Sequence, residues 1–327
     1  MVKVMEKEDK TLDVIYDSQL VDDIVYKGLA VKEKDGDFTL YKEYHEKRDA
    51  IYELEKEQRP KKFKELDSLF FNRLGYDSYL NEILDEFPIL KGKVEEVHIR
   101  RATTKQNEGS NVVDKGRKIL IRLYPELFIE GNTILKGIRH ELMHVSDMMD
   151  ESFGYKDEEF NCSPMEERMI NDRYRLFWDI SVDGRLIREG RETIADINER
   201  RREFDSFYIK IPKKTRDIIF DKIWCGEVSL THDKMIEMAK KIDNLLALLE
   251  GMESKEIDKI KEEAQESGPL PGTICKLCGF QSYDWIEEIG NDEEIVNIIR
   301  EDFPDWSIKD GICSRCAEHY KIRAGKW

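Results

Sequence analysis

The run His140-Glu141-Leu142-Met143-His144 constrains this chain more than any other stretch. It lies in a segment from about Asn132 to Asp150. There Ile134, Leu135, Ile138, Leu142, Val145 and Met149 recur at helical spacing. Histidines four apart on a helix share a face, so two imidazoles can reach one point in space. That face lies nearly opposite the apolar stripe. The segment is therefore expected to pack on a core through one side and to offer two metal-competent nitrogens through the other. The plainer reading, two histidines satisfied by ordinary hydrogen bonds, needs no carboxylate between them.

A second constraint lies near the C-terminus. Cys275-Lys-Leu-Cys278-Gly279 and Cys313-Ser-Arg-Cys316 are two metal knuckles. Each CxxC turn aims two thiolates at one ion, and glycine after the second cysteine eases the tight backbone. Together they predict one structural zinc held by four cysteines, in a module that resembles zinc ribbons and treble clefs in general. Such a site is coordinatively closed, so it builds structure or docks a protein partner. Cys162 and Cys225 stand alone, and the set does not read as a secreted disulfide framework.

Composition narrows the function classes. Of 327 residues, 40% are hydrophobic and 38% charged, which provides a real core under a highly charged surface. The formal net charge of -16 argues against nucleic acid or an anionic membrane as partner. No signal peptide and no apolar stretch of membrane-spanning length is visible, so a cytoplasmic location is expected.

Residues 1–90 read as a charged, mainly helical segment, with helical spacing over Tyr41–Gln58, Phe63–Leu74 and Tyr79–Phe87. Val94, Val97 and Ile99 suggest a strand, and Lys118–Tyr124 is a clearer one. Between them Thr103–Arg117 reads as a polar loop. A second long helix is expected from Ser163 to about Glu189, with Ser163 as cap and Pro164 in the first turn. Helical patterns continue to about Gln265, and Gly268–Thr273 is the best linker. The division expected is a helical segment (1–90), a central domain (91–267) and a zinc module (268–327).

With uncharged residues at 142 and 143 and apolar Ile138 and Val145 around it, the His140–His144 motif resembles that of the zincins, the metallopeptidases built on HExxH. The resemblance covers about residues 93–190. It implies an α+β, helix-rich fold with a small sheet beside the motif helix. It also implies that Lys118–Tyr124 is the edge strand that pairs with a peptide's backbone. The function expected is zinc-dependent hydrolysis of a peptide or protein, by an endopeptidase rather than an exopeptidase. Zinc would lower the pKa of water towards neutrality, and Glu141 would act as general base.

A catalytic zinc takes three protein ligands. Asp147 shares the histidine face, but it lies about 10.5 Å from His140 along a straight helix, too far for one ion. Asp179 and Asp183 share a face of the next helix, where like charges one turn apart call for a cation. This is similar to the gluzincin arrangement, in which HExxH is followed by ExxxD on a second helix. By that correspondence Asp179 binds zinc and Asp183 orients His140, or the two exchange roles because aspartate is the shorter acid. Alternatively Arg175 and Arg173 neutralise both in an ion-pair network. Tyr155, Tyr174 and His232 are available to stabilise an oxyanion, and spacing does not choose among them. The competing reading of the whole is a non-catalytic, zinc-stabilised adaptor or regulator with a metallopeptidase-like fold.

Overall fold

The computed structural model describes residues 12–104, 107–130, 132–157, 160–209, 211–249, 269, 272–286, 289 and 292–326. The protein is helix-rich with a small sheet and a C-terminal four-cysteine cluster. Its contacts fall into two compact units. One comprises residues 1–153 with 192–194, the other residues 154–191 with 195–327.

The first unit is built on a four-stranded sheet. Its strands are β1 (Asp13–Tyr16), β2 (Glu96–Arg101), β3 (Gly109–Val113) and β4 (Lys118–Leu123), in the order β1-β2-β4-β3. β1, β2 and β4 run parallel, and β3 is antiparallel to β4. Alternation makes the sheet two-faced: Val97, Ile99, Ile119, Ile121 and Leu123 are buried, while Glu96, His98, Lys118, Leu120 and Arg122 are only half-buried. Helices α1 (Ser18–Lys34), α2 (Thr39–Tyr52), α3 (Arg59–Arg73) and α4 (Ser78–Leu84) lie between β1 and β2 in sequence. Within the stretch expected to be mainly helical, β1 is thus a strand of the same sheet, and α1 packs on β2. The helical spacing read as far as Gln58 breaks at Tyr52.

Two expectations from the sequence differ from the structure. Lys118–Leu123 is not an edge strand, because β4 pairs with β2 on one side and β3 on the other. The edge on that side of the sheet is β3, inside the segment read as a polar loop. Its Gly-Ser-Asn start carries turn chemistry, and Ser110 and Asn111 mask the alternation by which a strand is recognised.

Helix α5 (Thr133–Met149) spans the expected segment almost residue for residue. It packs on β3 and β4 and on the turn Pro125–Phe128. Ile134, Ile138, Leu142 and Val145 are fully buried along the apolar stripe.

The second unit is organised around α6 (Pro164–Arg188), which Ser163 caps through its side chain to the Glu166 N–H and which stops at Gly190 with φ 74°. Helices α7 (Ile197–Phe207), α8 (Lys213–Trp224) and α9 (His232–Lys240) pack against it, and α10 (Ile242–Leu246) follows. Gly184 lets α6 and α8 touch: a Cβ there would stand 2.4 Å from the Trp224 carbonyl oxygen.

The C-terminal part of this unit has a knuckle hairpin of β5 (Thr273–Ile274) and β6 (Gln281–Ser282), then α11 (Glu293–Asp302) and α12 (Ser314–Arg323). Its small core contains Ile295, Val296, Ile299, Trp306, Ile312 and Tyr320 beside the cysteines. The helical pattern expected up to Gln265 lies, beyond residue 249, outside the described residues, as does half of the linker Gly268–Thr273. Among the described residues no helix is long and apolar enough to cross a membrane.

Candidate metal centres

His140 and His144 stand one turn apart on α5 with their Nε2 atoms 3.1 Å from each other. Their rings meet edge to face at 4.7 Å between centroids. Both are buried, at 5% and 7% exposure, and Glu141 between them is 6% exposed. Two nitrogens bound at 2.0–2.1 Å to one tetrahedral ion would stand about 3.3 Å apart. The imidazole pair therefore already has the spacing of two ligands on a zinc-sized ion.

The helix is fastened around this pair from two sides. Ser110 Oγ on the edge strand donates to the Glu141 carbonyl oxygen at 3.1 Å. Arg139 donates to Glu86 through Nε at 2.8 Å and Nη2 at 3.0 Å, a two-pronged bond that fixes the roll of α5 about its axis. Gly137 admits Leu127, whose Cδ1 would lie 3.3 Å from a Cβ at that position. Asp147 is buried in the last turn of the same helix.

Asp179 and Asp183 belong to the second unit, one turn apart on α6 as the spacing predicts. Their cation there is Arg200, from the first turn of α7. Arg200 Nε donates to Asp183 Oδ2 at 2.6 Å, and Nη1 lies 3.5 Å from Asp179 Oδ2. Glu203 takes the same Nη1 at 2.8 Å. Burial works against the Arg200 charge, but Asp179, Asp183 and Glu203 outweigh it and raise its pKa above the ordinary arginine value. Of the two arginines proposed from sequence, Arg175 stands 3.9 Å from Asp179, whereas Arg173 donates to the Ala239 carbonyl oxygen instead. The two acids differ: Asp183 is fully buried on a short bond, while Asp179 is partly exposed and held at longer range.

Arg200 was missed because it sits in the run Glu199-Arg-Arg-Arg-Glu203, which reads as solvated charge. The available signal was the capping box of Asp196 and Glu199, which starts α7 and sets the phase of its first turn. Tyr155, Tyr174 and His232 do come together in the second unit. Tyr174 Oη lies 2.9 Å from His232 Nδ1, and the Tyr155 ring meets His232 edge-on at 5.3 Å.

All four knuckle cysteines converge. Cys275 and Cys278 flank the β5–β6 turn, where the Gly279 N–H donates to the Cys275 carbonyl and the Cys275 N–H to Phe280. Cys313 caps α12, and Cys316 lies in its first turn. The sulfurs lie within 4.8 Å of one another, with Cys278–Cys313 at 3.7 Å and Cys275–Cys316 at 4.0 Å. Four sulfurs at 2.3 Å from a tetrahedral ion would stand about 3.8 Å apart, whereas a disulfide needs about 2.05 Å. The set fits a metal and not a bridge. Burial, and then the neighbouring Cys313 and Cys278 thiols, push the Cys316 thiol up.

This geometry carries a prediction about thiol access. With metal bound, a thiol reagent should titrate exposed Cys225 and half-buried Cys162 alone, and a strong chelator should release the other four. Six reactive thiols before chelation would rule out a filled four-cysteine site. No protein family, no curated protein and no solved structure matches this chain.

Proposed function

We propose that this protein is a zinc-dependent peptidase of the zincin kind, hydrolysing peptide bonds at His140 and His144 with Glu141 as general base. One observation carries the reading: two buried imidazoles with Nε2 atoms 3.1 Å apart, enclosing a buried glutamate on the same helix. A structural site has no use for that carboxylate, which would cost stability for nothing.

By the correspondence with gluzincins, Asp179 is taken as third ligand and Asp183 as the acid that orients His140, or the two exchange roles. The support is chemical. Asp183 takes the Arg200 Nε bond at 2.6 Å, a short pairing that suits a supporting acid, while Asp179 stands 3.5 Å from Arg200 Nη1. Zinc, when bound, supplies Lewis acidity that polarises a carbonyl and eases the ionisation of water. Glu141 then takes the proton of the attacking water and delivers it to the amine nitrogen as the C–N bond breaks. The edge strand β3 is the natural seat for an extended peptide. The Val112 N–H donates to its neighbour's Asn111 Oδ1 at 2.9 Å rather than into the ladder, so this edge is capped by a side chain a peptide can displace. The four-cysteine module, a knuckle joined to a helix start as in treble clefs, is a second, structural zinc site.

The test is metal content together with turnover. Wild type should carry two zincs per chain and cleave unstructured peptides. His144→Ala should carry one and cleave none. One zinc in both proteins, or undiminished cleavage by His144→Ala, would instead favour an adaptor held together by the cysteine site.

A further inference from the structure

The face of the β1–β4 sheet away from α5 carries an electrostatic arrangement that the fold itself does not need. Arg100 and Arg122 stand directly opposite each other on β2 and β4, and Gly109 on β3 is next in the same row. Like charges in that relation repel and destabilise the pair. In the row of Glu96 and Lys118 the charges are answered: Glu96 Oε2 lies 2.7 Å from His98 Nε2 and 3.2 Å from Lys118 Nζ. Among the described residues, Arg100 and Arg122 have no ion pair and no side-chain hydrogen bond. Arg100 is exposed and Arg122 half-buried, so both guanidinium groups are within reach of a ligand.

The row ends in open space at the edge. No heavy atom lies within 4 Å of where a Gly109 Cβ would be, and its φ of 151° disfavours any side chain there. In an antiparallel ladder, residues alternate between facing the partner and facing out. The outward Val112 N–H therefore makes Ser110 and Val112 the residues that would bond an added strand. A peptide residue opposite Gly109 would put its side chain on the open face, two strand spacings or about 9.6 Å from β4. Because Gly109 has no side chain to intervene, Arg122 can span that gap to a carboxylate.

We propose that Arg122, with Arg100 behind it, forms an acid-selective subsite for a peptide added to β3, so that the preferred substrates carry Asp or Glu opposite Gly109. This rests on the peptidase reading for the identity of the ligand, but not for the existence of the subsite. In a chain of net charge -16 an acidic peptide gains nothing from the overall field, so the selectivity is local.

The experiment uses the full, metal-loaded chain and pairs of fluorogenic peptides that differ only by Glu or Gln at one scanned position. At one position the wild type should prefer Glu by about fivefold in kcat/KM, and the preference should shrink with salt. Arg122→Gln should abolish the preference, and Arg122→Glu should reverse it in favour of Gln. Equal rates for every pair would overturn the subsite and leave the peptidase reading standing. Binding of the same labelled peptides to Glu141→Gln protein, followed by anisotropy, separates the two ideas. A Glu preference there that Arg122→Glu reverses, with no cleavage by wild type, would retain the subsite and reject hydrolysis. Preference for no peptide in either assay, or a preference untouched by Arg122→Glu, would overturn the proposal.

Discussion

Glu141→Gln should slow peptide hydrolysis by about 10²–10⁴-fold while the protein keeps both metals and its melting temperature. Glutamine preserves the volume of the side chain and one carbonyl oxygen, so a residue only 6% exposed is not left over a cavity. What it loses is the ability to take a proton, and the loss should fall mainly on kcat because the base acts in the bond-making step. The contrast with His144→Ala is the informative part. That variant should lose activity by losing metal, whereas Glu141→Gln should lose activity with the metal retained. If Glu141→Gln hydrolyses peptides like the wild type, the carboxylate is not the base. The buried glutamate would then need another explanation.

How much of this was legible in the sequence depended on whether a residue's role is set by its neighbours along the chain. The helix of His140 and His144 was readable because its apolar stripe and histidine face follow from one period over 17 residues. The Ser163 cap and the two cysteine knuckles are equally local. The edge strand was not readable: β3 is five residues of weak contrast, and only its register with β4 reveals it. Placing the edge at β4 followed from the resemblance to zincins, whereas its own alternation marks only a strand whose inner side chains are fully buried, as Ile119 and Ile121 are. Arg200 was hidden for a related reason. Three consecutive arginines have the same local signal, and only packing separates buried Arg200 from Arg201, which serves Asp217 and Asp221 nearer the surface.

Arg200→Ala is expected to have the largest effect on stability, about 3–5 kcal/mol, because it takes the short Arg200 ion pair from a fully buried Asp183. The chain offers a clean readout. Trp178, Trp224, Trp285 and Trp306, the described tryptophans, lie in the second unit, so their fluorescence during denaturation follows that unit. The cost comes from the charge left behind, not from the attraction lost, and a second substitution can show this. Asp183→Asn in the Arg200→Ala background removes the stranded charge and should restore part of the lost stability, although each change alone is harmful. Arg200→Lys should fall between: an ammonium keeps the charge but cannot reach Asp183 and Asp179 at once as the planar guanidinium does. An unchanged midpoint in Arg200→Ala would mean that solvent reaches Asp183 readily. If instead Asp183→Asn makes the Arg200→Ala protein worse, the aspartate has a second cationic partner whose loss outweighs the relief.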